Sequence, residues 1–292
     1  MKILVYNSPM SHLPPALRIA VLILFAAGVR AAPAKPYDSA AIVPETTIVL
    51  FNGKDLSAFY TWLPRSGYSD PDHVFTVVDQ VDGAPAIRIS GQHHGGLITK
   101  ANYANYRLVA EYRYGSVTWG SRANKARDSG ILIHGQGHDG AYQADFRSPW
   151  LRSIEYQIIE GGTGDLLVLS GVVPGERDRV ATRLTLCVAP GKRVWDPSGT
   201  PTEFTSGRID WPGRDPKWTD TLGFRGPRDV EHPVGEWNRI EAICAGGDLT
   251  YFLNGIKVNE ARNGTLREGR LLVQSEGAEI FFRRLELHPL AK

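Results

Sequence analysis

Cysteine is scarce in this chain. Its 292 residues hold two, Cys187 and Cys244, each inside an apparent strand. They lack the paired spacing of a zinc site, and they leave a single disulfide open without requiring one. An excess of either charge is missing too. The 33 Lys and Arg face 31 Asp and Glu, so no basic surplus is available to hold nucleic acid or an anionic membrane. Basic residues do gather at 122–127 and 177–183, but acids lie among or beside them, and both read as solvated loops. After residue 40 no apolar stripe runs at helical spacing, and no repeat or low-complexity tract occurs. What is present is a 42 % apolar chain with 31 Gly and 19 Pro. The Gly and Pro recur between short apolar runs, as turn punctuation does in an all-β protein.

The first residues follow a different logic. Residues 1–18 carry positive charge without an acid, Ile19 to Val29 is an unbroken apolar run, and Ala31, Ala32 and Ala34 follow. That order is the order of a secretory signal. The apolar run falls short of the ~20 residues a membrane span needs. An uncleaved anchor is the alternative, and the absence of a nearby Cys argues against a lipoprotein. The expectation is a signal peptide over 1–31, a Pro/Ala-rich linker over 32–45, and a bacterial protein that is periplasmic or secreted. No integral membrane span remains once the signal is removed. The mature chain then carries 30 basic and 31 acidic side chains.

From residue 46 the chain reads as short strands joined by turns. Candidates lie at 47–51, 74–78, 86–90, 96–99, 107–114, 128–134, 154–160, 166–170, 183–188, 238–245, 249–253, 256–260, 270–275 and 280–287. The firmest local signal is Asn254-Gly255 between two strand-like runs, a hairpin signature. Many short strands of this kind predict an all-β sandwich or jelly roll of two antiparallel sheets. Residues 172–235 break the rhythm and read as a long functional loop insertion. Trp195, Trp211 and Trp218 lie there, and indole faces suit the C–H patches of sugar rings.

One segment stands out. In Ser153-Ile-Glu-Tyr-Gln-Ile-Ile-Glu160 one parity carries Glu155 and Gln157, the other Ile154, Tyr156 and Ile158. A carboxylate and a carboxamide on one face, backed by apolar packing, predict the floor of a polar cleft. A solvated strand face is the competing explanation. Upstream, Asp128-Ser-Gly-Ile-Leu-Ile-His134 repeats the pattern.

The motifs resemble a family. Thr47-Ile-Val-Leu-Phe-Asn-Gly-Lys-Asp-Leu56 is similar to an opening of the form LFNGKDLSGW. Gly95-Gly-Leu-Ile-Thr-Lys100 with Tyr103-Ala-Asn-Tyr-Arg-Leu108 resembles GxLxTKxxYxDFxL. Ser129 to His134 resembles NSGIFLR, and Ile154 to Ile158 resembles YEVQI. Gly235-Glu-Trp-Asn238, Tyr251 to Val258 and Ile280 to Leu285 follow in order. Together they resemble the 3-keto-disaccharide hydrolase domain over residues 46–288. The resemblance implies a concanavalin-like, laminin-G-like jelly-roll β-sandwich with long loops. Asp128 stands where Asn is usual, His134 where Arg is common, and the Gln157 to Asp165 extension points to a subgroup.

The resemblance also implies a carbohydrate substrate already oxidised at C3, with an upstream sugar 3-oxidoreductase as partner. A C3 ketone acidifies the C2–H, so a base can remove that proton and the enolate can expel the C1 substituent. Glu155 is the first candidate base and His134, titrating near neutrality, the second. Gln157 can hold a hydroxyl and Lys100 can steady the enolate. Asp128, Glu160, Gln274, Glu276, Trp195 and Trp211 are candidate substrate contacts. A divalent metal ion is a further option, with His134 and Glu155 as two ligands and Asp128, Glu160 or Glu276 as a third. His93-His94 is no metal pair, because consecutive strand residues face opposite ways. A non-catalytic carbohydrate-binding module on the same fold is the competing function. A retaining glycosidase would need two carboxylates about 5 Å apart, whereas Glu155 and Glu160, five positions apart, point to opposite strand faces.

Overall fold

A computed structural model describes residues 39–172 and 179–291. The expected signal segment and linker residues 32–38 lie outside the described residues, as does 173–178 in the long insertion. Among the described residues there is no α-helix, and no helix is long and apolar enough to cross a membrane. Two eight-stranded antiparallel sheets carry the fold. One runs Ile256–Ala261, Asp248–Leu253, Asn238–Ala245, Tyr106–Thr118, Ala278–Pro289, Ala84–Ile89, Phe75–Val81, with Ile48–Val49 paired to Ala278–Pro289. The other runs Gly207–Ile209, Leu166–Leu169, Arg152–Ile159, Asp128–Gln136, Glu268–Ser275, Gly95–Thr99, Phe59–Trp62, with Tyr103–Ala104 paired to Glu268–Ser275.

Alternation explains how the sheets meet. Inward residues of both sheets, among them Leu97, Ile131, Ile154, Tyr156, Tyr112, Ile240 and Phe282, form one buried core. Each such side chain contributes roughly 1.5–3 kcal/mol by leaving water. A second apolar patch of Ile98, Leu132, Leu151, Leu169 and Leu272 is packed by Tyr60, Trp62, Tyr142, Trp150 and Leu167. The Asn254-Gly255 hairpin forms as expected, with both residues at positive φ (48° and 82°).

The insertion at 172–235 is less irregular than its sequence. Leu184–Val188 pairs with Thr200–Phe204, and Gly207–Ile209 extends the second sheet at Leu166–Leu169. Pro201 hides the strand signal, since proline fits only a strand edge. Cys187 and Cys244 are both free thiols, and Cys244 is buried in the core.

Candidate active site

On Arg152–Ile159 the apolar parity enters the inter-sheet core, which leaves Glu155 and Gln157 on the opposite face. Glu155 sits between Leu132 and Leu167 of the neighbouring strands, and Gln157 faces Gly130. The polar face is not solvated: Glu155 is 3 % exposed, Gln157 2 %, Gln274 1 % and Asp128 7 %. The solvated-face explanation gives way to a buried polar cluster.

Three carboxyls share that cluster. Burial first, and then the charge of Asp128, push Glu155 up to about 8. Burial likewise pushes Asp128 up to about 7, against the pull of Arg122 and Arg208. Glu276, half-buried at the edge, is raised well above the carboxylate range by burial, then by Asp128 and Glu155. Carboxyls that share a buried site lose their protons as a group and not independently. Arg122 lies 3.5 Å from Asp128. Arg208 keeps 30 % of its side chain exposed and donates to Gln157 Oε1 at 3.0 Å and to Asp165 Oδ2 at 2.8 Å. Gln157 in turn donates to Asp128 Oδ1 at 2.7 Å and to the Ser129 carbonyl at 2.9 Å.

Gly130 leaves the space in which these groups meet. A Cβ there would lie 2.4 Å from Gln274 Oε1 and 2.6 Å from Glu155 Oε1. Gln274 bonds Glu155 through its amide, while its Oε1 is buried with no hydrogen-bond partner. A buried acceptor without a donor is costly unless a ligand supplies one. The arrangement offers proton-accepting carboxyls, an acceptor for a hydroxyl, and two guanidinium groups able to stabilise an oxyanion.

Several expected residues go elsewhere. His134 sits in a bulge at φ 54°, which turns its ring against Tyr106 of the other sheet at 5.6 Å between centroids. Its Nδ1 donates to the Leu266 carbonyl at 3.1 Å, and burial pushes it down to about 4. It is therefore a neutral core histidine, neither a base beside Glu155 nor its co-ligand. Lys100 is exposed and donates to the Ser57 carbonyl at 2.8 Å. Glu160 is consumed by Arg127 at 2.7 Å and by the amides of Arg127 and Gly223. Trp195 and Trp211, 7 % and 5 % exposed, belong to the core and offer no stacking face. The metal set does not assemble: among the described residues no group of three or more His, Cys, Asp or Glu is arranged to hold an ion.

Other residues come into view only in three dimensions. Arg122, read as part of a solvated loop, is mostly buried and bridges Asp128 and Asp220. Arg127 in the same run is buried beside Glu160, whereas Arg183 is exposed, as a solvated position should be. Asp165 closes the Gly-Gly-Thr-Gly turn and binds Arg208, Arg214 and the Trp211 amide, so it positions Arg208. Burial pushes Asp165 up to about 6 although both arginines pull it back. The sequence signal for Asp165 was its place at the end of a glycine-rich turn. Arg208 had none.

Several solved structures are similar to this chain. A candidate glycosyl hydrolase structure from Parabacteroides distasonis ATCC 8503 is 18 % identical and covers 87 % of this chain and 100 % of its own, at a TM-score of 0.47. A Bacteroides ovatus mixed-linkage glucan GH16 structure is 8 % identical, with 82 % and 98 % covered and a TM-score of 0.43. The carbohydrate-binding module CBM66 from Bacillus subtilis is 8 % identical, with 73 % and 91 % covered and a TM-score of 0.38. No curated protein sequence matches. The model of the 3-keto-alpha-glucoside-1,2-lyase-like domain matches residues 46–288, nearly all that follows the linker. The protein is glycan-active, and the chain belongs to the 3-keto-alpha-glucoside-1,2-lyase-like domain family.

Proposed function

We propose that this protein is an exported enzyme that cleaves 3-keto-glycosides, with Glu155 as the base. In the proposed reaction Glu155 takes the C2 proton and the electron pair moves into the C2–C3 enolate, whose oxygen a nearby guanidinium, Arg208 first, stabilises. The enolate re-forms the ketone as the C1–O bond breaks, and the leaving oxygen takes a proton from a protonated neighbour in the Asp128–Glu276 pair. Water adding across C1=C2 then gives net hydrolysis; without that step the product is the unsaturated keto-sugar. The observation that supports this reading is the Asp128–Glu155–Glu276 cluster, in which the buried carboxyls of Asp128 and Glu155 are held up at about 7 and about 8. A base whose pKa lies near working pH combines availability with driving force. The unpaired Gln274 Oε1 suits a donor hydroxyl of the sugar. A 3-keto substrate requires an upstream oxidation at C3, hence a sugar 3-oxidoreductase in the same compartment.

The test is product analysis with 3-keto-trehalose, comparing the wild-type protein with Glu155→Gln. Release of glucose with either 3-keto-glucose or its C1=C2 dehydration product, lost in the variant, is the expected result. Absence of turnover on several 3-keto-disaccharides, together with binding of an intact glycan, would point to the binding-module reading instead.

A further inference from the structure

Beside the carboxyl cluster lies a cavity of about 400 Å³, within the range of small-ligand sites. It shares a wall with the cluster. Gly277, which follows Glu276, lines it, and a Cβ on Gly277 would lie 2.4 Å from Cγ of Arg122. His94, another lining residue, has its pKa lowered by burial and then by the charge of Arg122. The cavity is lined by Arg65, Arg147, His93, His94 and Trp119, and by no carboxylate. Asp72 sits behind, 3.9 Å from Arg65 and 3.0 Å from His93, and offsets part of that charge. Arg147 is exposed, and its guanidinium makes no ion pair among the described residues. Trp119 is clamped through its Nε1 to the Ser90 carbonyl at 2.8 Å and through its amide to the Gly277 carbonyl at 2.7 Å. It remains 40 % exposed, so a fixed indole face is open to a ring.

An open indole beside an uncompensated guanidinium fits a sugar that bears an acid. We propose that this cavity is a subsite for an anionic sugar residue, a uronate or a sulfated or phosphorylated hexose, adjoining the bond that is cleaved. The inference rests on the carboxyl cluster being the cleavage site. Arg147 supplies the charge-assisted contact and Trp119 the stacking face, so an acidic sugar next to the scissile bond is held in preference to a neutral one.

The experiment is calorimetric titration of the full chain with methyl glucuronide, methyl glucoside, glucose 6-sulfate, glucose 6-phosphate and inorganic sulfate. The expected result is that at least one acidic sugar binds about tenfold tighter than methyl glucoside or more. The three acidic ligands distinguish carboxylate, sulfate and phosphate. Arg147→Gln should remove that preference, and Trp119→Ala should weaken all the sugars, with thermal melts confirming that both variants fold. Equal binding of neutral and acidic sugars, or inorganic sulfate matching the best acidic sugar, would overturn the subsite, as would no binding at all. Because these ligands carry no C3 ketone, a protein that binds them yet cleaves none of several 3-keto-disaccharides, neutral and acidic, would refute the proposed reaction and leave the subsite standing as a binding site.

Discussion

Two buried ionic centres draw on the same strand, Glu268–Ser275, and they are built in opposite ways. At one end Arg270, fully buried, is matched by Asp139 at 2.7 Å and held by the Tyr60 hydroxyl and the Gly137 carbonyl. At the other end Gln274 meets Glu155, which interacts with Asp128 and Glu276; these three acids share Arg122 and Arg208, which also serve Asp220 and Asp165. The first centre is compensated, and its acid pins a loop onto the sheet. The second is short of positive charge, so burial wins and the carboxyls retain protons towards neutral pH. A matched pair holds structure, whereas a mismatched cluster is poised for proton transfer.

The contrast can be broken at either centre. The largest effect expected is on turnover of 3-keto-trehalose by Glu155→Gln: loss of a general base lowers kcat by about 10²–10⁴-fold, measured with folding checked by thermal melt. At the matched centre Asp139→Ala leaves Arg270 buried without its carboxylate. That should cost about 3–5 kcal/mol, read as a drop in denaturant midpoint at unchanged slope, and a drop under 1 kcal/mol would show that the pair is not structural. Gly130→Ala tests the space between Glu155 and Gln274. The added Cβ should cost about 1–3 kcal/mol and displace one of the two side chains, so turnover falls while the melting curve stays cooperative.

The smallest effect has a sign that separates the centres. The folded pKa of Glu155 lies above its unfolded value, so the native state binds the extra proton between about pH 4.5 and about 8. Stability from this group is complete below that window, declines as pH rises, and is lost above it. Glu155→Gln removes the decline. Its Tm should exceed wild type by about 3 °C or more near pH 8.5 and show no such gain near pH 4.5. A Tm below wild type at both values would mean that Glu155 is compensated like Asp139.

The sandwich was legible because alternation and turn chemistry are local. Glu155 and Gln157 could be placed opposite Ile154, Tyr156 and Ile158 from two-residue periodicity, and Asn254-Gly255 announced its own hairpin. Gln274, Glu276 and Asp128 were readable as candidate substrate contacts. The burial of the whole face was not, since it depends on side chains contributed by distant segments such as Arg208. His134 misled because a bulge with positive φ reverses the facing that alternation assigns. Trp195 and Trp211 misled because aromatic rings in a proline-rich insertion fill the core as readily as they bind a ligand. Arg122 looked like one charge in a solvated run; its partners, Asp128 and Asp220, lie six and 98 positions away.

The most direct test of the central claim is the pH dependence of kcat/KM on 3-keto-trehalose for the wild type and Asp128→Asn. The account predicts an ionisation in the wild type between about pH 7 and about 8, where Asp128 and Glu155 lose their protons. In Asp128→Asn that ionisation should move to lower pH, because a neighbouring negative charge that raises Glu155 has been removed. A profile flat from about pH 5 to 9, or one unmoved by the substitution, would contradict it.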